Sequence, residues 1–300
     1  MNNIFNFSIV SSFLGLWIST HVPESFELIL GFILIFTFGM IHGSNDLLIV
    51  KKLLKNKKHY SKFILLIAYL FIVSIAILVF YLIPSLAMIL FVLFSAYHFG
   101  EQHWDHRFSK LNAFRKSIFY FFYGMFILYM LFAYNTNEVK LIIFEITGFE
   151  ITNLYTKIML FILAGFISCV LIIEFLSKRL AIEVILKELF TLAVLAIIFS
   201  SSSLIWGFSI YFILWHSIPS LIEQISYIYG DVKTTSALSY GKAALPYWII
   251  SLIGMVILYV IFSGEKQFYS LFFAFIAAVT FPHAFVMLKM FSKKKSTTLK

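Results

Sequence analysis

Apolar stretches of about twenty residues recur along this whole chain, and each is long enough to cross a hydrocarbon core of about 30 Å as a helix. In lipid a backbone N–H or C=O has no water to bond to, so a spanning segment must satisfy its own polar groups, and helices do this internally. With 61% of the 300 residues hydrophobic, 12% charged and a mean hydropathy of +0.96, no run of soluble composition is long enough to fold separately. The expected architecture is therefore all-α: a polytopic integral-membrane helical bundle, read as a single transmembrane domain over 1–300.

The pattern predicts helices over 4–20, 26–49, 61–82, 84–104, 113–134, 155–177, 181–200, 203–227, 244–263 and 267–291, about ten spans. In 181–200, Glu183, Lys187 and Glu188 crowd the first two turns, which places them at headgroup level or inside the bundle. The break at Ser200–Ser203 separates that helix from the next. The polar stretches 135–154 and 228–243 read as interhelical loops, and no internal repeat is evident.

Basic residues orient a membrane protein because they stay on the cytoplasmic side. With both termini cytoplasmic, the inner loops and tail hold Lys51, Lys52, Lys55, Lys57 and Lys58, then Arg107, Lys110, Arg115 and Lys116, then Lys178, Arg179, Lys233, Lys242, Lys293, Lys294 and Lys295. The outer loops hold Glu24, Glu27, Glu138, Glu145 and Glu150, with scattered bases such as Lys140 and Lys266. This asymmetry accounts for the net charge of +9, and it adds attraction to anionic membrane lipid. The bases are dispersed over short loops and form no stripe, which argues against nucleic acid as a partner. The first apolar segment has no cleavage site of small residues and reads as an uncleaved span of a multi-pass protein in the cell (inner) membrane. Cys169 is alone, which excludes intramolecular disulfides and multi-thiolate metal sites.

Four histidines, His42, His98, His216 and His283, lie in or at the end of these apolar segments. Ionisable residues inside a membrane are costly and mark functional sites by default. A lone imidazole there is as readily a hydrogen-bonding strut. Under the expected topology all four lie on spans running from outside to inside, in the inner half, and four at one depth can converge on one ion between facing helices. All-imidazole ligation suits Zn, Cu, Fe or Ni and disfavours Mg or Ca. Asp46 follows His42 by four residues, Glu101 follows His98 by three and Glu223 follows His216 by seven, spacings that share a helix face and supply orienting carboxylates. Gly39 and Gly43 flank His42 in a G-x-x-x-G arrangement that permits close helix approach. Pro219 and Pro282 free carbonyls and allow kinks near His216 and His283. His21 and His59 read as loop or interface residues, and His103 and His106 lie on a mixed-charge flank.

The segments Phe38-Gly39-Met40-Ile41-His42-Gly43-Ser44-Asn45-Asp46, Ser95-Ala96-Tyr97-His98-Phe99-Gly100-Glu101-Gln102, Leu214-Trp215-His216-Ser217 and Thr280-Phe281-Pro282-His283-Ala284 resemble, in order, the motifs of the Brp/Blh family of bacterial and archaeal β-carotene 15,15'-dioxygenases. The resemblance implies an integral-membrane enzyme that uses iron(II) and O2 to split β-carotene at its central double bond into two all-trans-retinal molecules, with a retinal-binding rhodopsin as a functional partner. It implies that His42, His98 and His216 are iron ligands, with His283 matching the Pro-His of the last motif. Asp46 and Glu101 match acidic positions of the same motifs. Two departures stand out: Ser220 replaces a second histidine four residues after His216, and Leu47 replaces a frequent histidine after Asp46. His283 is therefore read as the fourth ligand.

Two other classes compete. A metal-ion transporter would need polar residues through both membrane halves, whereas the outer halves of these spans are nearly all apolar. A related oxygenase acting on another carotenoid or lipid fits the same residues. A di-iron desaturase does not, since it needs H-x-x-x-H and H-x-x-H-H boxes that are missing here.

Overall fold

A computed structural model describes residues 2–54, 61–108, 111–152, 155–261 and 268–298. Among these residues the ordered elements are helical and none is a strand. In chain order they are α1 (Asn2–His21), α2 (Glu24–Leu34), a π-helical segment π1 (Ile35–Gly39), α3 (Met40–Ser44), α4 (Asp46–Leu54), α5 (Lys62–Leu82), α6 (Pro84–Trp104) and α7 (Ala113–Tyr134). There follow α8 (Thr136–Thr147), α9 (Thr156–Leu176), α10 (Ile182–Ser201), α11 (Leu204–Ile210), a second π segment π2 (Tyr211–Ser217), α12 (Ile218–Tyr229), α13 (Thr234–Ile261) and α14 (Phe268–Thr298). Lys55, Lys57, Lys58, His59, Lys110 and Lys266 lie outside the described residues, as do the side chains of Lys294 and Lys295.

Among the described residues nine helical stretches are long and apolar enough to cross a membrane, and they correspond to nine of the ten expected spans. The remaining one is α10, where Glu188 is fully buried. Two loops were expected where the structure has helix. The segment 135–154 contains α8, whose Val139 and Ile142 are buried and whose Glu138 accepts the Leu204 backbone N–H at 3.1 Å, so an apolar stripe and a capping interaction order it. Helix α13 begins at Thr234, ten residues before the expected 244, because Tyr240 and Ala244 pack on Ile225 and make that first stretch a buried face.

The chain divides into two compact units: Met1–Ile35, Ala96–Leu141 and Glu150–Pro219 form the first, and Phe36–Ser95, Ile142–Phe149 and Ser220–Lys300 form the second. In the first, α2 packs on α11 and α7 packs on α9 and α10. The buried Glu27 carboxylate accepts both the N–H (3.1 Å) and the hydroxyl (2.9 Å) of Ser203, capping the start of α11. Helix α1 is tied in by Trp206 Nε1 to the Gly15 carbonyl (3.1 Å) and by Trp215 Nε1 to Ser12 Oγ (3.0 Å). Helices α6 and α7 touch backbone to backbone, since a Cβ at Gly100 would lie 1.8 Å from Tyr120 O and one at Gly124 would lie 1.8 Å from Ala96 O. Ala96 and Gly100 on one helix, and Tyr120 and Gly124 on the other, thus form a reciprocal small-residue crossing.

In the second unit α14 packs against α5 and α4, and α13 packs against α3. Ile49, Val286, Met287, Met290 and Phe291 form one core cluster and Phe80, Ala87 and Ala277 another. Trp248 on α13 donates from Nε1 to the Phe36 carbonyl in π1 at 2.7 Å.

Candidate metal centre

Two of the four histidines lie in each unit, and each pair is in ring contact. In the second unit His42 and His283 meet edge to face, with centroids 4.7 Å apart. In the first, His98 and His216 do the same at 4.8 Å. All four are at least 96% buried.

His42 stands on α3, one turn after π1. Its Nδ1–H donates to the Gly39 carbonyl, and because a carbonyl can only accept, the lone pair of this ring is on Nε2. His283, on α14, donates from Nδ1 to Asp46 Oδ1 at 2.8 Å, which leaves the same tautomer. The other carboxylate oxygen of Asp46 accepts the Tyr69 hydroxyl at 2.9 Å. Asp46 therefore orients His283 across two helices, and not His42, its expected partner four residues earlier. The reason is local: Asn45 leaves helical geometry (φ −98°, ψ 14°) and breaks the register between α3 and α4. His283, which has no acidic neighbour in the expected helix pattern, thus pairs with a carboxylate from another helix. Gly43 lies directly beside the His283 ring, where a Cβ would stand 3.7 Å from Nδ1, an ordinary van der Waals contact.

In the first unit Gly100 and Gly124 bring α6 onto α7, and His98 sits two residues before that crossing. His216 lies within π2, stacked on Phe212 (5.5 Å) and edge-on to Phe99 (4.7 Å). The π geometry has a cause in Pro219, whose ring would collide with the Trp215 carbonyl in a regular helix. Widening avoids this, and the Ile218 N–H bonds five residues back to Ile213 O. Such π turns occur often at functional sites. Glu101 is buried near His98 in sequence, whereas Glu223 is half-buried on α12.

Ser220 is fully buried and accepts from Gln224 Nε2 at 3.1 Å; Gln224 Oε1 accepts the Tyr240 hydroxyl at 2.7 Å, and that hydroxyl lies 3.3 Å from the His42 carbonyl. The serine at the position of a family histidine is thus part of a chain that ends on the backbone of His42. Tyr69, Gln224 and Tyr240 carried no signal in the sequence, since they sit on helices far along the chain. His103, expected on a mixed-charge flank, instead pairs with buried Glu188 at 2.8 Å, alongside Arg107 and the Tyr123 hydroxyl. His21 is exposed and stacks on Trp17, as an interface residue would.

Asp46, Gly43 and Tyr69 also border a cavity of about 300 Å³ in the second unit, where Leu47 contributes apolar wall. Among the described residues no three His, Cys, Asp or Glu side chains are grouped to hold an ion. The donor chemistry nevertheless fits a transition metal: paired, buried imidazoles, two of them with Nδ1 anchored so that Nε2 faces away from the anchoring oxygen.

A family model described as beta-carotene 15,15'-dioxygenase matches residues 33–291, a span that includes all four histidines. No curated protein and no solved structure matches the chain. With most of its length matched and the histidine motifs inside the match, the chain belongs to the beta-carotene 15,15'-dioxygenase family.

Proposed function

We propose that this protein is an iron(II)-dependent dioxygenase of the inner cell membrane, both termini cytoplasmic, that cleaves the central 15,15' double bond of β-carotene with O2 into two all-trans-retinal molecules. The observation that carries this reading is the Tyr69–Asp46–His283 chain beside His42, an oriented imidazole pair next to an apolar cavity, in a chain of this family. His42, His98, His216 and His283 are the proposed iron ligands.

Iron(II), when bound, supplies the activation of dioxygen that a closed-shell polyene lacks. The protein's own residues do the rest. Gly39 and Asp46 hold His42 and His283 in one tautomer, and Tyr69 holds Asp46. Asp46, Glu101 and Glu223 orient ligands and transfer no proton, because the overall reaction moves none: both oxygen atoms end in the two aldehydes. The substrate has no charged group to grip, so it is held by shape and by burial at about 25 cal/mol per Å² of apolar surface. A retinal-binding rhodopsin is the proposed consumer of the product.

Purified protein in nanodiscs, reconstituted with iron(II) and given β-carotene under ¹⁸O2, is expected to yield labelled retinal as the sole cleavage product. Metal analysis of the same sample is expected to find iron, and less of it after alanine replacement of any of the four histidines. Apocarotenals of unequal length would overturn the bond assignment. A folded, iron-loaded sample that leaves the carotenoid intact would overturn the reading.

A further inference from the structure

The cavity in the second unit is a slot. On α5 its lining residues Leu66, Tyr69, Leu70, Val73 and Ile77 recur at helical spacing along one face over twelve residues, about 16 Å of helix. Tyr247, Ile250, Gly254 and Ile257 form a matching stripe on α13. Leu70, Ile250 and Ile257 are at the same time 43%, 44% and 51% exposed, so the slot opens sideways on the outer, apolar surface of the helices. Its inner end is Gly43, which lies beside the His283 ring, and Asp46, which orients that ring. Phe275 and Val279, also lining it, precede His283 by eight and four residues on the same face of α14.

The polar groups at that end are already engaged: Asp46 by His283 and Tyr69, and Ser44 by the Met40 carbonyl at 2.8 Å. A long slot, open to lipid and internally satisfied at its polar end, selects a rod of hydrocarbon. Tyr69, Tyr247 and Phe275 among its walls offer flat ring surfaces, which favour a flat conjugated chain over a flexible saturated one. The volume of about 300 Å³ is at the low end for ligand sites and suits one end of a long molecule.

We propose that this slot is the lateral entry and holding site for a terminal segment of the polyene substrate, with Gly254 setting its width. The proposal rests on the carotenoid-cleaving reading and adds where the substrate binds. A Cβ on Gly254 meets only Phe275 Cε2, at 3.9 Å, an ordinary contact. Alanine therefore fits, whereas a larger side chain grows into the slot and leaves the helix backbone in place.

The chain's sole cysteine, Cys169, is exposed and replaceable by serine, which allows a protection experiment. In liposomes, Ser251→Cys on a Cys169→Ser background places a thiol in the slot wall, and Ile253→Cys, 53% exposed and not in the lining, serves as control. β-Carotene at nine-tenths occupancy is expected to slow labelling of the first by a membrane-soluble maleimide about tenfold and to leave the second unchanged. In parallel, Gly254→Phe is expected to raise KM about tenfold or more with iron content unaltered, and Gly254→Ala reports whether the site tolerates substitution without unfolding. Unslowed labelling while retinal is still formed would overturn the slot and leave the cleavage reading standing. Equal slowing by a saturated hydrocarbon of the same length would also overturn it, as a lipid crevice. Specific slowing by β-carotene in an iron-loaded protein that forms no retinal would support the slot and sink the cleavage reading.

Discussion

Adding a single methyl group at Gly100 puts a carbon 1.8 Å from the Tyr120 carbonyl oxygen, and real Cβ contacts are not seen below 3.0 Å, so α6 and α7 must open by about 1.2 Å. The obstructing atoms are backbone, so no rotamer change relieves the clash. Overpacking of this kind costs about 1–3 kcal/mol, and the upper end is expected where backbone must move. At about 2–4 °C per kcal/mol for a chain of this order of size, Gly100→Ala should lower the Tm by roughly 6–12 °C. The catalytic effect should be larger. His98 stands two residues from the crossing and packs on His216, whose segment is anchored elsewhere by the Trp215–Ser12 hydrogen bond, so α6 carries one imidazole while the other stays. A misplacement of about 1 Å can cost about 10²-fold in rate, and retinal formation should fall by that order. Gly124→Ala meets Ala96 O at the same 1.8 Å, and the double variant should cost less than the sum because the first methyl opens the seam for the second. Thermal unfolding in detergent and initial rates of retinal formation measure both quantities. A Gly100→Ala protein with wild-type Tm and rate, or strict additivity of the pair, would refute the crossing.

Asp46→Ala removes the acceptor of His283 and Tyr69 and is expected to weaken iron affinity about 10–100-fold by competition titration, with Asp46→Asn milder because its amide oxygen still accepts the His283 N–H. Indistinguishable affinities for wild type and Asp46→Ala would rule out the orienting role. Glu188→Ala strands His103 and Arg107 and should cost about 3–5 kcal/mol of stability, read from denaturation midpoints, with Glu188→Gln less severe. Ser220→His, which restores the residue found in many family members, should destabilise by about 1–3 kcal/mol and not raise iron content, because Ser220 is fully buried and already bonded to Gln224. Chelation of iron from the loaded protein should lower its Tm by mass action, and an unchanged Tm would argue that the imidazoles hold no ion.

The membrane class, nine of the spans and the four buried histidines were legible in the one-dimensional pattern, because hydrocarbon forces each spanning segment to be apolar and helical regardless of its neighbours. The misses have local causes. Helix α8 and the first turns of α13 look polar, and only burial of Val139, Ile142, Tyr240 and Ala244 orders them. Gly39-x-x-x-Gly43 reads as a packing motif, yet Ala96-x-x-x-Gly100 is the segment that meets Tyr120 and Gly124 backbone to backbone.

Pairing was settled in three dimensions. Helical spacing offered Asp46 to His42, but a break at Asn45 turned it to His283, and Tyr69 and the Ser220–Gln224–Tyr240 chain arrived from helices whose order in the sequence carries no distance information. Hydropathy is a property of each segment alone and survives in the amino-acid order; hydrogen-bond partnership depends on the angle and register at which helices meet. Those follow from small-residue contacts between distant segments, which no local pattern encodes.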